Sequence, residues 1–239
     1  MPEKVGFPEQ AVNKIVEMAI ASQLQKADGL EVRIKTDLNK LAHGQLDSLA
    51  IAIYGVLLQP NLEAEALQLE IGRVTVKPLK ALRGKITLVH PSEGTFRLVI
   101  NEESFITALN TEVLKETLRS RGYTDNRDVR IRCLLSDNTI TFSTEPIGNN
   151  TEVPQHFVLV ATPEIAPEGQ AVLLQQVRYV EGQEPSPEFT SALLARMYEL
   201  LSLQDFERQG MLLQIQQLDV TQGKLTLDAA AHIEQFPSS

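Results

Sequence analysis

The chain has 239 residues, with 31 acidic against 22 basic side chains and a formal net charge of −9. At 43% hydrophobic and 22% charged it has the composition of a folded globular protein, which excludes the disordered and fibrous classes. The lone Cys133 excludes an internal disulfide and a CxxC zinc pair, and no apolar run reaches the roughly 18 residues that a membrane-spanning helix needs. The opening Met1-Pro2-Glu3-Lys4 has no charged-then-apolar secretory pattern. The expected setting is therefore the cytoplasm, with a peripheral membrane contact left open.

The first predicted element is a helix over residues 8–24. Pro8 suits a first helical turn, where its missing N–H costs nothing. Val12, Ile15, Val16, Ala19 and Ile20 recur at three- and four-residue spacing and share one face. Leu30, Val32 and Ile34 then alternate with Glu31 and Arg33 as a half-buried strand. The run 49–58 contains no charge, and its odd positions place Leu49, Ile51 and Ile53 on one face. Such a strand expects apolar surroundings on both sides. Two surroundings meet that need: a central strand covered on both faces, or a lipid-like ligand on the inner one. In the next run Leu67, Leu69 and Ile71 hold odd positions and Val74 and Val76 even ones, so the phase flips across Gly72. A bulge at that glycine would restore one apolar face and curve the strand.

Phe96, Leu98 and Ile100 form a further alternating strand. A second helix is expected over 102–120, with Asn101 as N-cap, Glu102 and Glu103 at the positive end of the dipole, and Gly122 beyond its end. Val129, Ile131 and Cys133 alternate, and Ser136-Asp137-Asn138 reads as a hairpin turn leading to Ile140 and Phe142. The stretch 145–154 reads as a loop. Phe157, Leu159 and Ala161 make another strand. The third helix begins at Ser186-Pro187 and runs to about 203. Leu225, Leu227, Ala229, Ala231 and Ile233 close the pattern after a Gln222-Gly223 turn. Short turns between strands imply antiparallel pairing, and helices separated by several strands argue against βαβ crossovers. The expectation is an α+β fold over 1–239, one domain, with a large curved antiparallel sheet and three helices.

Catalytic signatures are lacking. There is no G-x-S-x-G, H-E-x-x-H or G-x-G-x-x-G, and His43, His90, His156 and His232 are scattered without ligand spacing. Gly84-Lys85 does not complete a phosphate loop. Cys133 falls on the apolar side of its strand, as a small core residue does. Glu63 and Glu65 share a strand face, where a solvated surface explains them better than acid–base work. No catalytic residue, metal ligand or cofactor is nominated. Charge is uneven: residues 73–133 hold 12 basic and 7 acidic side chains, a balance of +5, whereas the remainder is at −14. A positive middle on an acidic chain can steer an anionic head group, or it can be a set of solvated strand faces. With 5% aromatic residues and an acidic chain, nucleic acid is not an expected partner.

Several segments resemble one family. They are Asn101-Glu102-Glu103-Ser104-Phe105-Ile106-Thr107-Ala108-Leu109-Asn110, the stretch from Val177 to Glu184, the third helix, Asp205 to Met211, Gly223 to Leu227 and Ala231 to Pro237. Together they resemble the LmeA-like phospholipid-binding family, in its cyanobacterial branch, over nearly the whole chain. The resemblance implies phospholipid binding without catalysis. It also implies a likeness to tubular lipid-binding (BPI-like) proteins, in which a long helix lies in a curled antiparallel sheet with lipid tails between. Actinobacterial members are exported, and the pattern for export is missing here, so no cell-envelope role is carried over. On this reading the tails meet Val12, Ile15, Val16, Ala19 and Ile20 on the first helix and Ile51, Ile53, Leu69 and Ile71 on the sheet. Lys77, Lys80, Arg83 and Lys85 meet the head group. The alternative is a protein-interaction scaffold with a filled core and no lipid.

Overall fold

The computed structural model describes residues 14, 17, 21, 27–77, 87–111, 129–146, 156–182 and 184–235. Lys14, Glu17 and Ala21 are helical, and Lys14 Nζ lies 3.3 Å from Glu17 Oε2. The rest of the helix expected over 8–24 lies outside the described residues.

Two antiparallel sheets dominate. The larger has six strands in the order β1-β3-β4-β6-β12-β11: β1 Gly29–Lys35, β3 Ser48–Gln59, β4 Leu62–Ile71, β6 Ser92–Asn101, β12 Lys224–Ile233 and β11 Met211–Thr221. The smaller has four in the order β10-β9-β8-β7: β10 Val172–Gly182, β9 Phe157–Ile165, β8 Thr139–Pro146 and β7 Val129–Ser136. A two-stranded ribbon joins β2 Gln45–Leu46 to β5 Val74–Thr75. The single large sheet expected from the sequence is thus divided. Strand alternation reports which side chains are buried, but not which strands pair, because pairing is fixed by contacts distant in sequence.

The described helices are α1 Leu38–Ala42, α2 Glu102–Leu109, α3 Pro187–Leu200 and α4 Gln204–Arg208. α1 and α4, five residues each, were not expected from the sequence; they are too short to show a helical period. The caps behave as their chemistry requires. Asn101 Oδ1 accepts the Ser104 N–H at 3.0 Å, and Ser186 Oγ accepts the Phe189 N–H at 3.3 Å with Pro187 at the first helical position. α3 ends at Leu200, three residues short of the expected end, and Leu203 N–H turns to the Gln170 carbonyl at 2.8 Å. α2 is described as helix to Leu109, and residues 112–128 lie outside the described set.

The expected bulge at Gly72 is a correction. β4 stops at Ile71, Gly72 and Arg73 bend, and Val74 leaves to pair with Leu46 in the ribbon. The change of face occurs instead at Gly55 inside β3, where φ is +59°. Leu49, Ile51 and Ile53 are buried before it and Val56 after it. β4 changes face in step, from Ala64 to Leu67, so both halves of the hairpin keep their apolar side in the same core. A left-handed residue inside a strand turns the chain as a bulge does, and glycine adopts that dihedral without a Cβ penalty.

The sheets meet at the edge of β11. Asn138, at the β7–β8 turn, donates its N–H to the Val220 carbonyl at 3.0 Å. Ile215 N–H donates to Gly169 in the β9–β10 connection at 2.7 Å. The hairpin tips of the small sheet therefore cover part of the edge of the large one, which an exposed strand edge requires. Buried side chains of both sheets, α2 and α3 form one continuous apolar cluster. Phe96 of β6 meets Phe206 of α4 edge-on with centroids 5.3 Å apart, and Phe157 meets Phe189 of α3 at 5.1 Å. Fully burying each such ring contributes about 1.5–3 kcal/mol.

Candidate functional site

The four sheet residues proposed for lipid tails lie together. Ile51 is paired in register with Leu69, and the Leu49–Ile71 pair follows toward the end of the sheet. Ile51, Ile53, Leu69 and Ile71 are all buried, at 7% exposure or less, on the inner face of the six-stranded sheet. On the opposite face of β3, Ala50 and Ala52 are half-buried and Tyr54 is exposed. The charge-free run is thus an ordinary two-sided strand whose open face is floored by alanines. Val12, Ile15, Val16, Ala19 and Ile20 lie outside the described residues.

Lys77 is exposed and stands beyond the Leu49–Ile71 end of that apolar strip. Its backbone is fixed from both sides: Lys77 N–H donates to Thr87 O at 2.9 Å, and Val89 N–H donates to Thr75 O at 2.8 Å. Lys80, Arg83 and Lys85 fall between these paired positions in sequence and lie outside the described residues.

Where α3 and α4 cover the sheet the interior is close-packed. A void of about 20 Å³ lies among Leu98, Ile100, Leu227, Leu200, Leu203 and Phe206. That space holds about one water molecule and no acyl chain. The open face of the large sheet is different in kind. Two shallow hollows of about 240 and 210 Å³ share Gln68 and Glu70 and are bordered by charged side chains. Their cations are engaged: Arg33 lies 2.9 Å from Glu31, and Arg97 lies 3.1 Å from Asp228.

The remaining polar groups read as structural. Glu65 is held by Lys224 at 2.5 Å, so the Glu63–Glu65 face has a cation on it. His232 Nδ1 lies 2.5 Å from Glu93 across adjacent strands, and His43 Nδ1 lies 2.8 Å from the Asn39 carbonyl. Cys133 is 3% exposed, and burial, with a smaller contribution from the Glu102 carboxylate, pushes its thiol pKa well up. Exposed Asp37 caps α1 by accepting the Lys40 N–H, which lowers its carboxyl pKa, and half-buried Lys40 is raised through its hydrogen bond to Asp47. Among the described residues no group of three or more His, Cys, Asp or Glu could hold a metal, and no helix is long and apolar enough to cross a membrane.

The sequence reading missed the open face of the small sheet. Leu134 and Val180 are 54% and 62% exposed there, beside Arg130 and Arg178. The signal was hidden because 157–161 is apolar at every position, so the sequence does not say which face meets solvent.

The chain matches a family model described as LmeA-like phospholipid-binding over residues 6–230, and it belongs to that family. Neither the curated proteins nor the solved structures gave a match.

Proposed function

We propose that this member of the LmeA-like phospholipid-binding family is a non-enzymatic lipid-handling protein that holds a phospholipid by its tails. The observation that carries the reading is the family match across nearly the whole chain. The tails lie on the inner face of the large sheet at its β3–β4 end, against Ile51, Ile53, Leu69 and Ile71, with the leading segment's Val12, Ile15, Val16, Ala19 and Ile20 as the opposing wall. The close packing under α3 and α4, away from this end, is compatible with that location. Each buried CH₂ contributes about 0.8 kcal/mol, so affinity comes from chain length and not from a few polar contacts. Lys77, with Lys80, Arg83 and Lys85, meets the phosphate, which fits a cation placed just past the end of an apolar strip. Architecture of the tubular lipid-binding kind and a single domain over 1–239 belong to the same proposal.

The test is organic extraction of the purified protein followed by mass spectrometry. Phospholipid in stoichiometric amount is the expected result. The charge reversals Lys77→Glu and Lys80→Glu should weaken binding of an anionic short-chain phospholipid and leave the denaturation midpoint unchanged. A second reading, an interaction scaffold with a filled core, extends to the whole interior the close packing found under α3 and α4. It predicts no lipid in the extract and no response to those reversals.

A further inference from the structure

The open face of the four-stranded sheet pairs two features that no other described surface combines. Register puts Leu134 of β7, Thr141 of β8, Val160 of β9 and Arg178 of β10 in one row across the sheet. The next row is Arg132, Ser143 and Val158, ending at a bulge where Val180 and Glu181 face Val158. Inward positions beside these rows, Cys133, Leu135, Phe142 and Leu159, are buried, so the rows themselves face out. Leu134 and Val180 are the two most exposed large apolar side chains among the described residues, and half-buried Val158 and Val160 lie between them. The strands are about 4.8 Å apart, so Leu134 and Val180 stand about 14 Å apart across the sheet, with Thr141 and Ser143 of β8 between Leu134 and the valines.

The charges of this face are arranged around those apolar side chains. Arg132 lies 3.7 Å from Glu145 in a solvent-exposed pair. Arg130 and Arg178, on opposite edge strands, are exposed and have no ion pair among the described residues, Glu145 standing opposite Arg130 in register; Glu164 of β9 and Glu181 of β10 are exposed acids on this face, one toward each end of the central rows. The open face of the large sheet differs on both counts, because its arginines are paired and its floor is Ala, Gln and Glu. An apolar centre with unspent arginines at its borders is the chemistry that an anionic bilayer surface takes up. The aliphatic side chains enter the head-group boundary, and guanidinium groups bond phosphate oxygens in pairs.

We propose that this protein docks on anionic phospholipid membranes through the open face of β7–β10, with Leu134 and Val180 inserted and Arg130 and Arg178 on the phosphates. The proposal rests on the lipid-handling reading and names the surface where lipid is collected or delivered. The experiment compares sedimentation with phosphatidylcholine vesicles, with and without phosphatidylglycerol, against binding of a monomeric short-chain phospholipid. The full-length protein is used with the variants Arg130→Glu/Arg178→Glu and Leu134→Ser/Val180→Ser. The reversal Arg33→Glu/Arg97→Glu on the other sheet serves as control.

The expected result is phosphatidylglycerol-dependent sedimentation that falls by at least roughly thirtyfold in the Arg130/Arg178 variant. It should also fall in the Leu134/Val180 variant, weaken with added salt and persist in the control. Monomeric lipid binding should be unchanged in all of them. Sedimentation equal in wild type and face variants, an equal loss in the control, or a wild type that binds a protein partner but no vesicle overturns the docking assignment. A wild type that binds no monomeric lipid overturns the lipid-handling reading instead.

Discussion

The side chain of Asn110 brackets the backbone of Ile131: its Oδ1 accepts the Ile131 N–H at 2.9 Å and its Nδ2 donates to the Ile131 carbonyl at 2.8 Å. Nδ2 also reaches the Ile106 carbonyl at 2.7 Å, so one amide closes the end of α2 and the open edge of β7 together. At the other end of the helix Glu102 Oε1 accepts the Leu135 N–H at 2.7 Å. α2 thus blocks the outer edge of the small sheet with side chains in place of a further strand, and that edge is not free to pair with another chain. Asn110→Ala leaves these partly buried backbone groups unpaired and should cost about 2–3 kcal/mol. Asn110→Asp should cost at least as much, because it replaces the donor with a second acceptor facing two carbonyls. Urea denaturation midpoints measure both; equality with wild type would show that water replaces the amide.

Gly94 of β6 is a second point where the fold admits one residue type. A Cβ there would come within 3.0 Å of the Glu70 carbonyl oxygen, which belongs to the backbone of the neighbouring strand and cannot swing away. Gly94→Ala must push β4 from β6 and should destabilise by about 1–3 kcal/mol. Gly72 is the control. Nothing lies within 4 Å of its would-be Cβ and its φ is not left-handed. Gly72→Ala should be neutral, or stabilise by about 0.4–1 kcal/mol through the unfolded chain. A lowered melting midpoint for Gly94→Ala beside an unchanged or raised one for Gly72→Ala is the expected outcome.

Local chemistry was legible in the sequence wherever a single residue type has one use. Asn101 and Ser186 are caps because their oxygens reach an orphan N–H, and Asp137-Asn138 is a two-residue turn with φ of 49° and 59°. The inner-face positions Ile51, Ile53, Leu69 and Ile71 followed from period-two alternation. The break in phase was misplaced from Gly55 to Gly72 because Ala50 and Ala52, although on the open face, count as apolar and mask the alternation of β3. The division into two sheets was not legible, since it depends on β11 meeting the hairpin tips at Asn138 and Gly169, positions remote in the chain. The docking face was hidden for a related reason: Val158 and Val160 differ from core valines only in what does not cover them.

Cys133 offers a titration that reports on the packed interior between α2 and β7. Burial, then the nearby Glu102 carboxylate, disfavours the thiolate in the folded protein and leaves the unfolded chain at its ordinary pKa of 9.0. Below pH 9.0 both states keep the proton and stability is unaffected by it. Above that the unfolded chain releases a proton that the folded one retains, so stability falls by up to about 1.4 kcal/mol per pH unit until the raised folded pKa is reached. Cys133→Ala removes this slope and leaves every other alkaline titration in place. The difference between wild-type and variant denaturation free energies should therefore be flat at neutral pH and decline in the alkaline range. In native buffer the thiol should alkylate with iodoacetamide only as fast as the chain opens, and at the rate of a free thiol in denaturant. Rapid native labelling, or parallel pH profiles for the two proteins, would mean that solvent reaches β7 from within.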